Sequence, residues 1–420
     1  MDNWKRNVTL YIIGQAITLF GSMLVYYALL WHLTLESQSG TMMMIITIAG
    51  TLPMVFVSPI AGVWADRYNK KNIINLADAS IAIVSLLMGV LWFFGIHSLP
   101  LIIIILVIRA FGQGIQSPAT FALLPEIVPQ DKLLKVNGYN ASIQSLVMFA
   151  SPMVGAFILN VLSIEMIFFV DVITAIIGIF ILIKYVHVPN KVKDEQVSSD
   201  FFKEFKEGLS YIKSFSLIKK FMIVSLFFNF LSGPAATMTV LHVVRVWGQD
   251  TWDLFNLITI GVNHRLAINE MTFFIGLLLG GIVIAKWQLF DNKSKTVAFS
   301  ILTAGLGALT LGIFTNFWLY SLMMFLTGMT LAFYQPPRMA IIQSKVDPNF
   351  LGRVMSVFMI IANVIMPLSM VAWGPLGDMF PISLLLIVSG ALHLPLGLWV
   401  LFDKTMLQAG INTNSESATT

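Results

Sequence analysis

Residues 41–95 read TMMMIITIAGTLPMVFVSPIAGVW ADRYNKKN IINLADASIAIVSLLMGVLWFFG. Two apolar runs, 41–64 and 73–95, flank a short connection that carries Asp66, Arg67, Lys70 and Lys71. A helix rises about 1.5 Å per residue, so roughly 20 apolar residues cross the hydrocarbon core of a bilayer. Each run is long enough. Backbone polar groups inside lipid must be satisfied within the chain, which makes both runs helices. The stretch therefore reads as a membrane hairpin with a basic loop at its tip.

The same reading extends in both directions. Apolar segments of spanning length fall at 8–33, 41–64, 73–95, 99–121, 139–161, 164–186, 221–242, 266–286, 297–315, 318–338, 354–377 and 382–402. Hydrophobic residues make up 57% of the 420-residue chain and charged residues only 11%. Soluble domains carry about 25% charged residues, so most of this surface faces hydrocarbon. The expected fold is all-α, with twelve transmembrane helices. Val8 to Leu33 exceeds the roughly 7–15 residues of a signal-peptide apolar core, so it is read as a permanent first span. The chain has no cysteine, which excludes disulfides and thiolate chemistry without fixing a compartment.

Twelve spans put both termini on one face. On this topology all of the 25 Lys and Arg residues except Arg109, Arg245 and Arg265 fall on the face of the termini. The positive-inside rule makes that face cytoplasmic, in a cell inner membrane. The same bias accounts for the net charge of +4 through contact with anionic headgroups, so no nucleic-acid partner is expected. Residues 187–220 are polar and Lys-rich, and Phe201 to Tyr211 reads as an amphipathic surface helix. The tail after Gly410 is rich in Ser, Thr and Asn, a composition that favours disorder.

The chain also repeats itself. Residues 118–136, PATFALLPEIVPQDKLLKV, align with 336–354, PPRMAIIQSKVDPNFLGRV, at an offset of 218 residues. Pro118 meets Pro336, Ala122 meets Ala340, Val128 meets Val346, Leu133 meets Leu351 and Val136 meets Val354. Each stretch closes the fourth span of its half. Parallel repeats of even helix number imply two pseudo-symmetric six-helix bundles and alternating access by rocking. The expected domains are 1–186, a linker 187–220, 221–404, and a cytoplasmic tail 405–420.

The loop Gly62-Val63-Trp64-Ala65-Asp66-Arg67-Tyr68-Asn69-Lys70-Lys71 resembles the major facilitator superfamily signature G-x-L-A-D-R-x-G-R-K. It departs at Trp64 and at Asn69, a residue that also tolerates left-handed turns. Further stretches are similar to the macrolide-efflux branch of drug/proton antiporters: Gly14-Gln15-Ala16, Ser117-Pro118-Ala119, Val136-Asn137-Gly138, Gly352-Arg353-Val354 and Gly374-Pro375-Leu376-Gly377-Asp378. The resemblance implies a gating motif at Gly62, Asp66, Arg67, Lys70 and Lys71, with Asp66 locking the cytoplasmic side. A charged turn that only orients the loop is the plainer reading. The offset places Ile284 opposite Asp66, so such a lock is one-sided.

Arg109, Asp171 and Asp78 lie inside spans, where charge is costly and usually functional. Arg109 matches the arginine of the family's fourth-helix motif, which is implicated in proton transfer. Asp171 and Asp78 are candidate proton carriers, although Asp78 better suits a brace for the signature loop, and Glu126 and Glu36 at span ends stay open. Ser151-Pro152-Met153-Val154-Gly155 resembles a degraded antiporter motif and equally suits close helix packing. Gly276 and Gly280 read as packing residues. Gln15, Thr18 and Ser22 share one helical stripe. Gln15, Tyr27 and Asn229 are the candidate substrate contacts.

The chemistry expected is proton-coupled antiport of amphipathic drugs such as macrolides, with the lipid bilayer as surroundings and a monomer as the working unit. Tetracycline or siderophore export, or metabolite import, uses the same architecture. No phosphate loop G-x-x-x-x-G-K-[ST] and no H-E-x-x-H metal motif occurs in the sequence. Neither an enzyme nor a receptor is expected, and no cofactor or metal.

Overall fold

The computed structural model describes residues 3–188, 201–248, 252–254, 258–287 and 289–411. Within those residues the chain is almost wholly helical. Six long helices come first: α1 (Asn3–Ser37), α2 (Gly40–Arg67), α3 (Lys70–Phe93), α4 (Leu99–Ile127), α5 (Leu133–Val161) and α6 (Ile164–Tyr185). The amphipathic α7 (Phe201–Ser214) follows, then α8 (Ser216–Leu231), a π-helical turn Pro234–Met238, and α9 (Thr239–Trp247). A small antiparallel hairpin, β1 (Trp252–Leu254) and β2 (Ile258–Ile260), precedes α10 (Val262–Lys286). The chain continues through α11 (Lys293–Ile313), α12 (Phe317–Leu331), α13 (Gln335–Lys345), α14 (Pro348–Met379), α15 (Ile382–Phe402) and α16 (Lys404–Ala409).

Among the described residues, 11 helical segments are long and apolar enough to cross a membrane. Two of them contain a break: α8 with α9 forms one span, Ser216–Trp247, and α12 with α13 another, Phe317–Lys345. The twelfth expected span corresponds to α5, whose 29 residues give it spanning length. The chain is thus a multi-pass membrane protein of the expected all-α class.

Two compact units result, residues 1–37 with 45–198, and residues 38–44 with 199–420. In the first, α1 packs on α5 and α6, and α3 on α4 and α6. Its larger buried side chains include Tyr11, Leu123, Ile74 and Leu182. In the second, α11 packs on α15, α10 on α12, and α14 on α7 and α8. Helix α7 lays Phe205 and Leu209 against the second unit's core, stacks Tyr211 on Phe350 at 4.8 Å, and ion-pairs Glu207 with Arg353 at 3.0 Å.

The two breaks have identifiable causes. Pro234 has no N–H, so the Phe230 carbonyl one turn earlier loses its helical donor. Ser369 Oγ (2.7 Å) and Trp373 Nε1 (3.2 Å) of α14 donate to it instead, and Ser389 Oγ of α15 donates to the Leu231 carbonyl at 2.7 Å. The second break, at Ala332–Tyr334, precedes Pro336 and Pro337. There Tyr334 stacks on Phe228 with ring centroids 4.0 Å apart. Arg338, expected on the cytoplasmic face, is instead buried, over the rings of Tyr334 and Phe358. It donates to Ser225 Oγ and Gln335 Oε1. The proline break turns it inward, where two aromatic faces and two oxygens take its charge.

The last span is anchored by Lys220, whose Nζ lies 2.6 Å from Asp403 Oδ2. Burial alone would push Asp403 up. Hydrogen bonds from Lys220, Thr405 and Met406, with the Lys220 charge, outweigh it and lower the group from 3.8 to about 2. The lowered value means stability that is present above pH 4 and lost as pH falls towards 2. The pair is partly solvated, which reduces its worth to about 1 kcal/mol. The expected result is that Asp403→Asn unfolds at a lower temperature than the parent at pH 6, with the gap closing between pH 4 and 2. A gap that stays constant across that window rejects the assignment.

Candidate functional site

The first unit holds its charges in one place. Helix α4 brings in Arg109, α6 brings Asp171, α1 brings Ser22 and α3 brings Ser85. Arg109 Nη1 lies 2.6 Å from Asp171 Oδ2, and both side chains are almost fully buried, 4% and 2% exposed. Ser85 Oγ donates to Asp171 Oδ2 at 2.6 Å and Ser22 Oγ to Asp171 Oδ1 at 3.2 Å. Arg109 also contacts the Ser85 hydroxyl and donates to the Ser22 carbonyl at 3.3 Å. Gly21 makes room for this: a methyl group there would meet Thr174 and Asp171. Two residues singled out separately in the sequence thus form one buried ion pair with its oxygens satisfied.

A second polar chain lies nearby in the same unit. Gln116 Nε2 donates to Asp78 Oδ1 and to Gln15 Oε1, both at 3.1 Å, and Thr120 Oγ1 donates to Gln15 Oε1 at 3.2 Å. Tyr11 OH closes the chain on the Thr120 carbonyl at 2.8 Å. Asp78 is therefore bonded to α4, not to the signature loop. Its Oδ2 is buried with no hydrogen-bond partner. A carboxylate with one bonded and one vacant oxygen can accept a proton without breaking an ion pair.

The two lysines of the gating motif are tied within their own unit. Lys70 Nζ pairs with Glu126 Oε1 at 2.7 Å, and Lys71 Nζ donates to the carbonyls of Ile183 and Val186, each at 2.9 Å. Asn69 caps α3 by accepting from Asn72 N. Gly62 leaves open space beside it, and Arg67 is exposed. Asp66 sits on α2, and its side chain lies outside the described residues. Of the other acids left open, Glu36 lies 3.5 Å from His32 on the exposed end of α1.

In α5, Ser151 Oγ donates to the Val147 carbonyl at 2.7 Å, Pro152 is buried, and a methyl group at Gly155 would press on the Trp31 ring at 3.3 Å. Tyr27 lies between Tyr26 and Trp31, ring centroids 5.5 and 5.7 Å away. Asn229, in the second unit, donates to the Ser225 carbonyl of its own helix at 2.7 Å. Sequence reasoning passed over Ser85 and Gln116, which only the helix packing selects. It also passed over Glu270, an acid within the eighth span, although charge inside an apolar segment is a signal that the sequence itself carries.

Two compact helical units, with ionisable side chains buried inside spans, define a polytopic membrane transporter. The transmembrane secretion effector family matches residues 7–418, and this chain belongs to that family of major facilitator transporters. It is 27% identical over 395 residues to macrolide efflux protein A of Streptococcus pyogenes, covering 93% of this chain and 94% of that protein. The macrolide efflux protein A of Enterococcus faecalis is 27% identical over 337 residues, 79% of this chain and 100% of its own length. Among solved structures, the nucleoside transporter NupG superposes with a TM-score of 0.71 at 14% identity, covering 96% of this chain and 98% of that one. That likeness supports the fold.

Proposed function

We propose that this transporter exports amphipathic drugs, macrolides foremost, in exchange for protons by alternating access, from the inner membrane with both termini cytoplasmic. The observation that carries the reading is the pair of buried carboxylates in the first unit: Asp171, held by Arg109, and Asp78, with one oxygen vacant beside the Gln116–Gln15 chain. Asp78 is the residue of the two able to gain a proton at little structural cost. Gln15 then couples it to the stripe of α1 proposed to meet substrate. Tyr27 and, in the second unit, Asn229 are proposed as further substrate contacts. The macrolide reading is supported by the relatives' names and by their coverage of most of the chain. Gly62, Asp66, Arg67, Lys70 and Lys71 are proposed to gate the cytoplasmic side, Gly62 from within α2. Ser151, Pro152 and Gly155 are proposed to support antiport through close packing.

The energetics close. One charge moved through 100 mV yields about 2.3 kcal/mol, and one pH unit adds about 1.4 kcal/mol. Each tenfold of an uncharged drug gradient needs about 1.4 kcal/mol, so one proton sustains a gradient of roughly several hundred-fold. In cells stripped of their own pumps, expression is expected to lower erythromycin accumulation, and an uncoupler to restore it. Accumulation of macrolides, tetracyclines and cationic dyes unchanged by expression rejects drug export. Export that persists through the uncoupler rejects proton coupling.

A further inference from the structure

The second unit contains a cluster of polar side chains with no assigned role. Glu270 lies about two turns into α10, roughly 12 Å along the helix from Val262 at 1.5 Å per residue. Its neighbour Asn269 is fully buried, with Nδ2 3.4 Å from Glu270 Oε1 and with Oδ1 lacking any partner. From α12, which packs along α10, Tyr320 is fully buried, its hydroxyl also without a partner. His242 of α9 stacks on Tyr320 with ring centroids 5.4 Å apart, and Trp247 packs edge-on to both rings.

No ion pair reaches Glu270 among the described residues. Among the described residues, the elements packed most closely on α10 are α12, α9 and β2. Helix α12 and strand β2 carry no charged residue, and α9 carries His242 and Arg245. Arg245 is engaged with the Gln38 and Gly377 carbonyls and with Asp378. On α10 itself, Arg265 donates to the Trp247 carbonyl at 3.0 Å and lies over Phe317, and His264 is one residue earlier. The contrast with Asp171 is direct. That carboxylate already holds an arginine and two hydroxyls, whereas Glu270 has one weak donor.

The two vacant polar atoms match the two protonation states of an acid. As a carboxylate, Glu270 accepts, and the unpaired Tyr320 hydroxyl of the neighbouring helix is a free donor. As a carboxylic acid it donates, and Asn269 Oδ1 is a vacant acceptor. Protonation is the transfer of one proton from a hydronium ion to a carboxylate oxygen, releasing water, and no other bond changes. A half-buried acid within a span that can be satisfied in both forms is able to load and unload without leaving an orphaned polar group in hydrocarbon.

We propose that Glu270 is a proton-binding site of the second unit and carries a coupling proton, with Asn269 and Tyr320 as its alternating partners. This rests on the proton-coupled export reading. It deepens that reading by placing one coupling acid in α10.

The test uses the full chain in inside-out proteoliposomes with radiolabelled erythromycin. Under an imposed gradient of about one pH unit, the parent is expected to accumulate drug about tenfold, the gradient that one proton sustains. Glu270→Gln is expected to lose this accumulation while retaining drug counterflow without a gradient, because the drug path is untouched. Glu270→Asp is expected to recover much of it, and drug-induced proton movement, read by a trapped pH dye, to vanish only in the Gln variant. Full pH-driven accumulation by Glu270→Gln overturns the proposal. So does loss of counterflow in both variants, which marks a structural residue. A parent that accumulates nothing under the pH gradient, or accumulates under sodium alone, overturns the proton reading itself before Glu270 is at issue.

Discussion

Arg109→Ala is expected to abolish export and to destabilise the first unit by about 3–5 kcal/mol, the cost of leaving a buried charge unpaired. The carboxylate of Asp171 would keep two serine donors and lose its cation, 2% exposed and far from water. Asp171→Asn alone leaves the guanidinium stranded and is expected to cost a similar amount. The replacement of both by apolar residues of similar size, Arg109→Met with Asp171→Leu, separates structure from mechanism. Buried ion pairs replaced in this way are often neutral or better in stability. The double variant is therefore expected to recover thermal stability, followed by fluorescence-detected size exclusion, and to remain inactive in export. Recovery of uphill transport along with stability shows that the pair only holds α4 and α6 together.

The second large effect is expected where α10 meets α12. A methyl group at Gly276 would overlap the Phe325 carbonyl, one at Gly280 the Met329 carbonyl, and one at Gly328 the Phe273 carbonyl. Three interlocking glycines let the two backbones touch, as small residues do when helices associate in lipid. Backbone atoms do not move aside as flexible side chains do, so overpacking here costs about 1–3 kcal/mol per site or more. Gly276→Ala and Gly280→Ala are each expected to lower the melting temperature, and the double variant to yield little monodisperse protein. The absence of cysteine rules out thiol-reactive dyes for this measurement. Melting indistinguishable from the parent would show that the helices can separate at no cost.

Much of this was legible in the chain. Membrane spans are fixed by length and apolarity, two properties that sequence displays directly, and the segments read between 8 and 402 all fall on helices. The chemistry was legible as residue types but not as partners. Arg109 and Asp171 stand out because charge inside a span demands an explanation, yet only helix packing says that each explains the other. Gln15 and Asn229 are read as substrate contacts from their places on the spans, without their partners. The structure gives Gln15 to Gln116 and Thr120, and gives Asn229 to its own helix. Polar residues in lipid take the nearest backbone or side-chain partner, and spacing alone does not reveal which that is. The breaks in the seventh and tenth spans were hidden for a related reason, since prolines in membrane helices bend or do not bend according to what neighbours offer.

The π-helical turn shows how far that dependence reaches. The carbonyl freed by Pro234 is held from α14 and the next one from α15, so the bend of the seventh span is fastened from outside. A rod creased by its own sequence keeps its crease in any surroundings, whereas one held by its neighbours takes whatever curvature they dictate. Where there is no solvent to lend a stand-in donor, the Phe230 carbonyl cannot lose both Ser369 and Trp373, nor the Leu231 carbonyl lose Ser389, without a replacement. Any straightening of this segment must be a concerted exchange, which gives it the character of a two-position joint instead of a spring.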